Sequence, residues 1–216
     1  MLRSIKQLYG KTLGASDGDI GKVKDFYFDD HQWAVRYVIA ETGTWLLGRL
    51  VLISPPAFGN FHQDGNRLLV NLTRQQIEKS PPIESHKPVS RQYEEEYNRY
   101  YGWPSYWTEG SHLQNGGEPH LRSTLALSGY QNFTGYKIQT SDEVIGHATD
   151  FIMDDKSWAI CHLVVETGHW FSRREIAISP KDIERISYEE SKVFVKVTKE
   201  AILEAPEYHV PPLGAT

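Results

Sequence analysis

Along the first third of the chain, apolar residues arrive in short runs broken by polar clusters. Ile20, Val23, Phe26 and Phe28 lie in a β-rich stretch that stops at Asp29-Asp30-His31-Gln32, a turn signal. Trp33 to Ala40 is a second run, rich in Val, Ile and Tyr, and Thr42-Gly43 marks the next turn. Leu46 to Ile53 is a third run, closed by Ser54-Pro55-Pro56. Asp64-Gly65 ahead of Leu68-Leu69-Val70 predicts a tight hairpin. Many short strands between turns favour a small antiparallel barrel or sandwich, because closing the sheet removes exposed edges. The period then changes. Thr73 with Gln76 three residues later reads as a capping box, Ile77 supplies an apolar contact, and Pro81 stops a short helix.

The same pattern recurs. At a shift of 125, Gly10 to Pro81 aligns without a gap on Gly135 to Pro206, and nearly a third of the 72 positions are identical. Asp25-Phe26 returns as Asp150-Phe151, Asp29-Asp30 as Asp154-Asp155, and Trp33-Ala34 as Trp158-Ala159. Glu41-Thr42-Gly43 and Trp45 return as Glu166-Thr167-Gly168 and Trp170, and Thr73 as the cap Thr198. A gap-free repeat of this length means two copies of one small fold. Leu2-Arg3-Ser4 reappears as Leu121-Arg122-Ser123 at a shift of 119, which predicts about six extra residues near the start of the second copy. Each copy is expected to bury its own tryptophan, Trp33 or Trp158, a ring worth roughly 200 Å² of buried area. Gly21 and Gly146 suit a bulge or close backbone approach, and Gly43 and Gly168 a turn with positive φ. The Asp pairs would suit a metal, but at a hairpin tip the turn reading is preferred.

The join between copies is aromatic. Residues 93–107 hold seven of the chain's 26 aromatic side chains. Tyr93, Tyr97, Tyr100 and Tyr101 fall on one face of a short helix that Gly102 and Pro104 end. Such a face is costly to expose and should dock on its own chain or on a partner. Tyr93, Tyr97, Tyr101, Trp103, Tyr106 and Trp107 are therefore the candidate partner-binding residues. Residues 108–119 read as a loop rich in glycine. The expected organisation is a first barrel over residues 1–81, an aromatic helix and linker over 82–120, a second barrel over 121–206 and a tail over 207–216.

Composition narrows the function. The chain of 216 residues has 39% hydrophobic residues and a formal net charge of −5, which argues against a general polyanion binder. The first copy is neutral and the second carries −4, so neither offers a basic footprint and nucleic acid is not favoured. A single cysteine excludes an internal disulfide framework and a multi-cysteine zinc site. Met1 to Lys6 has no apolar core of signal-peptide length, and no run reaches the roughly 18 apolar residues of a membrane span. A cytoplasmic location is expected.

No catalytic residue, cofactor or metal is assigned. Cys161 and His162 are neighbours in a predicted strand and so point to opposite faces, a poor dyad. His147, His162 and His169 occur only in the second copy. A metal or small-ligand site using them is the weakest alternative, behind satisfied surface histidines. No phosphate-loop, dinucleotide, zincin or nucleophile-elbow motif is present.

The ordered set from Asp17-Gly18-Asp19-Ile20-Gly21 through Asp25-Phe26, Asp29-Asp30, Trp33, Glu41-Thr42-Gly43 and Ile53-Ser54-Pro55 resembles the PRC-barrel domain, and the second copy resembles it through the residues aligned above. The resemblance implies a mainly β fold of two small antiparallel barrels, each followed by a short helix. The family takes its name from the cytoplasmic domain of the photosynthetic reaction-centre H subunit, and a related barrel ends the ribosome maturation factor RimM. In both, the barrel serves protein contact and assembly, and no catalytic residues carry over. A non-enzymatic interaction or assembly module is therefore expected, with a protein partner or self-association as a homodimer. Peripheral association with a membrane complex is compatible with it. An RNA- or ribosome-associated maturation factor is the alternative.

Overall fold

The computed structural model describes residues 1–59, 67–81, 83, 91–105, 127–168 and 173–209. Asp64-Gly65, Tyr106, Trp107, residues 108–119, residues 121–123, His169 and Trp170 lie outside them.

The first copy runs β1 (Leu2–Ser4), β2 (Thr12–Ala15), β3 (Gly18–Asp29), β4 (Ala34–Thr42), β5 (Leu50–Ile53), β6 (Arg67–Leu69) and α1 (Arg74–Glu78). The join contributes α2 (Arg91–Tyr101). The second copy runs β7 (Leu127–Gly129), α3 (Tyr130–Phe133), β8 (Lys137–Gln139), β9 (Val144–Asp154), β10 (Ile160–Thr167), β11 (Arg174–Ile178), β12 (Ile183–Ser187), β13 (Lys192–Val195) and α4 (Lys199–Glu204). Two sheets result, ordered β5-β4-β3-β2-β6 and β11-β10-β9-β8-β13-β12. Pairing is antiparallel except for β2 with β6 and β8 with β13. Strand pairing among the described residues does not close either sheet into a complete barrel. In the first copy a single bridge, Phe58 to Val70, ties the segment after β5 to the residue after β6.

The remaining two strands are exchanged. β1 pairs with β9 of the second copy, and β7 pairs with β3 of the first. The registers match: Leu2 faces Asp154 as Leu127 faces Asp29, and Ser4 faces Ile152 as Gly129 faces Tyr27. The shift is 125 throughout, so the repeat extends back to the first strand without a gap. This corrects the expected match of residues 2–4 to residues 121–123: the structural counterpart of β1 is Leu127–Gly129. Two of those three residues differ, Ser128 and Gly129 standing for Arg3 and Ser4, which hides the equivalence in the sequence.

The crossing is fixed by repeated backbone features. Gly10 and Gly135 take positive φ, 69° and 92°, where each chain segment leaves one sheet for the other. Their N–H groups donate to Val23 O and Ala148 O at 3.0 and 2.8 Å. Between the copies, Val35 N donates to Trp158 O at 2.9 Å and Ile160 N to Trp33 O at 2.7 Å. Trp33 and Trp158 hold the left-handed conformation at φ 50° and 60°, uncommon for bulky residues and kept in both copies.

One core therefore spans both copies. A single buried cluster runs from Ile5 through Phe28 and Phe133 to Ile202. At its centre Phe28, Phe133 and Phe151 meet with centroid separations of 4.8 to 5.5 Å. The expectation of two separate tryptophan-centred interiors is overturned. Trp33 is half-buried and packs on Phe28 and on Phe151 of the other copy, and Trp158 packs at a tilt, 4.8 Å between centroids, against Phe58 of the first. The left-handed hairpin tips turn both rings toward the copy–copy contact.

Local readings fare unequally. Thr73 and Gln76 form the capping box, and Thr198 caps α4. Asp29 and Asp154 accept from backbone N–H groups of their own turns, at His31 and Ser157. A Cβ on Gly21 or Gly146 would overlap the carbonyl oxygen of Glu41 or Glu166, so close approach of the neighbouring strand selects glycine there. Gly168 has φ 101°, but Gly43 does not take a positive φ. In the first copy the left-handed positions of that loop are Leu47 and Gly48. No helix among the described residues is long and apolar enough to cross a membrane.

Candidate functional site

The aromatic join docks on its own chain. Tyr93, Tyr97 and Tyr101 repeat every four residues along α2 and face the outer surface of β4 and β5, where Tyr37, Ile39 and Leu52 are buried. Tyr97 is completely buried and meets Tyr37 edge-on at 6.0 Å. Tyr101 stacks on Trp103 at 4.3 Å, and Tyr93 donates from its hydroxyl to Pro81 O at 2.9 Å. Burial pushes the hydroxyls of Tyr93, Tyr97 and Tyr101 above the ordinary phenol range. The Tyr97 and Tyr101 hydroxyls approach each other without a hydrogen bond of good geometry. Of the six residues singled out for a partner, Tyr97 is thus spent inside the chain, Tyr93, Tyr101 and Trp103 are half-buried against it, and Tyr106 and Trp107 lie outside the described residues. The apolar strand face of the first copy explains this: Tyr37 and Leu52 stand where the second copy has His162 and Ala177.

Among the described residues the exposed large apolar side chains are Met1, Leu2, Leu47, Tyr100 and Val144, and of these Tyr100 and the loop that bears Leu47 flank α1. Leu47 is 95% exposed at the tip of the loop between β4 and β5. That loop is held: Trp45 Nε1 donates to Ile20 O at 2.6 Å, and Thr42 Oγ1 donates to Arg49 O at 2.8 Å. The Arg74 guanidinium of α1 lies 4.4 Å over the Trp45 ring. On the other side of α1, Tyr100 is 40% exposed and donates to Gln76 O. Sequence reasoning passed over Leu47, although two consecutive leucines between Thr42-Gly43 and Gly48 are a usable signal.

The groups with raised carboxylate titration lie at the exchange. Asp25 accepts from Gln131 N at 3.2 Å, and Asp150 accepts from Lys6 N at 3.0 Å, each across the copy boundary. Tyr9 donates to Asp25, while Ser4 and Tyr130 donate to Asp150. Desolvation raises both carboxyls above the ordinary range despite these donors. A group with a raised folded pKa adds stability below its unfolded pKa and loses it as pH rises through the folded one. As pH falls from neutrality toward the ordinary carboxyl range, about 4, the parent is expected to gain melting temperature relative to Asp25→Asn/Asp150→Asn. Thermal melts of both proteins across that range check it; parallel curves would refute the assignment.

Other chemistry is sparse. His147 lies 4.0 Å from Glu166, while His162 sits farther along β10 near Tyr208. Cys161 is half-buried at a bulge in β10. No cluster of three metal-ligating side chains occurs among the described residues. A cleft of about 910 Å³ opens between the copies, lined by Arg3, Pro55, Phe58, Asp155 and Trp158 among others.

Comparison with known proteins agrees with the duplication. A family model described as PRC-barrel domain matches residues 3–77 and again residues 127–202, well over half the chain together. No curated protein matches the chain.

Proposed function

The chain belongs to the PRC-barrel family through both halves, and on that premise we propose that it is a non-enzymatic interaction and assembly module of the reaction-centre H-subunit-like kind. Two interlocked copies supply a rigid body, and the partner surface is the face around α1. The observation that carries this reading is the grouping of Leu47, Trp45 and Tyr100 about that helix, with Leu47 almost fully exposed on a loop pinned at both ends. A pinned loop presents an apolar tip with little ordering cost on binding, and aromatic and apolar anchors dominate interface energetics. The buried carboxylates and tyrosines, by contrast, are engaged in holding the copies together.

The test is affinity capture from the native cell with the full chain and with Leu47→Asp/Tyr100→Ser. The expected result is a specific protein partner that the variant loses by tenfold or more, with the melting temperature of the variant within a few degrees of the parent. An unchanged set of captured proteins would exclude this face. Co-sedimentation with ribosomal particles at low salt, lost at high salt, would favour the RNA-associated reading instead.

A further inference from the structure

We infer that β1 is a transferable ligand: β9 is a receptor for an N-terminal strand carrying Arg-Ser, and a second copy of this chain can supply that strand. Arg3 Nε donates to Asp155 at 2.7 Å, and both side chains are about nine-tenths buried. The Ser4 hydroxyl donates to buried Asp150, Ile5 N donates to Phe151 O at 2.9 Å, and Ile5 is fully buried. Recognition thus combines a ladder, an ion pair, a hydroxyl–carboxylate bond and an apolar anchor within four residues.

The code is directional. At the reciprocal site β7 offers Ser128 and Gly129 in place of Arg3 and Ser4. The aspartates there are served from elsewhere: Asp30 accepts from Tyr188, and Asp25 from Tyr9. Among the described side chains, those of an incoming strand serve buried aspartates at the second copy, through Arg3 and Ser4. A chain that withdrew β1 would leave Asp155 and Asp150 buried without those donors, which strongly disfavours an empty site.

The same contacts form whether β1 comes from its own chain or another, so only effective concentration separates the two. The crossing at Gly10 has positive φ, and a Cβ there would meet nothing within 4 Å. Gly10 is the pivot, and its N–H bond to Val23 O has to be re-formed in the exchanged arrangement. Reciprocal exchange between two chains gives a closed dimer in which each first strand lies in the other's second sheet. This inference deepens the assembly reading by naming one partner, and rests on it only for biological use.

The experiment uses full chains with Arg3→Glu or Asp155→Arg. Each alone places like charges at the buried pair and should melt well below the parent. Refolded together, they are expected to form a dimer of twice the mass by light scattering, with the melting temperature recovered, because both pairs are satisfied only between chains. The combined variant R3E/D155R should be monomeric and melt above either single variant, though below the parent because the Met1 ammonium, which Asp155 holds at 2.7 Å, then faces an arginine. A mixture that keeps the low melting temperature and the monomer mass, while the combined variant folds, overturns the inference. Should the combined variant not fold, tagged and untagged parent chains are refolded together at high concentration. Co-capture supports exchange, and its absence overturns it. Either failure leaves the Leu47 capture result standing, so the two readings fail separately.

Discussion

Ile5→Asp is expected to lower the stability of the whole protein by about 4 kcal/mol, and to do so mainly in the copy that the mutation does not belong to. Ile5 is fully buried in the shared core, and its N–H donates to Phe151 O on β9 at 2.9 Å. Deleting its methylenes removes apolar burial, and the new carboxylate has no donor planned for it. Loss of β1 then frees the Phe151 carbonyl and uncovers the edge of β9. Ile5→Val, which keeps the anchor, should cost only about 1 kcal/mol. Denaturant unfolding measures the magnitude. Amide hydrogen exchange locates it, with protection falling over residues 144–167 although the substitution is at position 5. Protection lost only within the first copy would contradict the exchange.

Gly146→Ala is the second large effect, expected to cost about 3 kcal/mol or more. A Cβ at this position would stand 3.0 Å from the Glu166 carbonyl carbon and overlap its oxygen. The obstacle is backbone, so no rotamer change relieves it, and β9 must separate from β10 near the Thr167 end of the pair. Gly21→Ala repeats the situation against Glu41, where the carbonyl carbon would be 2.9 Å away. Gly43→Ala is the control. This glycine is also repeated, yet its φ is −67° and a Cβ there meets nothing within 4 Å. Its substitution should change stability by less than about 1 kcal/mol, with either sign. Urea unfolding of the three variants side by side separates a packing glycine from a merely repeated one.

These glycines show what the sequence can carry. The repeat, the turn aspartates, the capping box and the aromatic helix were legible because each has a local cause: a spacing, a cap, a side chain bonding its own turn. The mainly β architecture followed from the same runs. The exchange was not legible, because a strand of three residues has no period to read, and Leu2-Arg3-Ser4 shares only its leucine with Leu127-Ser128-Gly129. Leu121-Arg122-Ser123 repeats residues 2–4 residue for residue without being their structural counterpart. The tryptophans misled for a related reason. A repeated Trp at a hairpin suggests a core, but the left-handed backbone at φ 50° and 60° decides where the ring goes, and composition does not report φ. At the candidate site, periodicity identified the buried face of α2 correctly and so selected residues that the chain uses itself. The leucine pair Leu46-Leu47 marks the loop, but which of the two is exposed depends on the left-handed backbone at Leu47, φ 54°.

Cleavage of the join tests the central claim most directly. A protease site introduced between Glu118 and Pro119 allows the folded protein to be nicked without touching either sheet's described strands. If the copies are interlocked through β1 and β7, the two fragments remain together at the native mass in gel filtration and unfold in one cooperative transition. Two fragments that part under native conditions, each keeping its β signature and melting on its own, would show that each copy is an independent barrel and that the exchange is not what holds the molecule together.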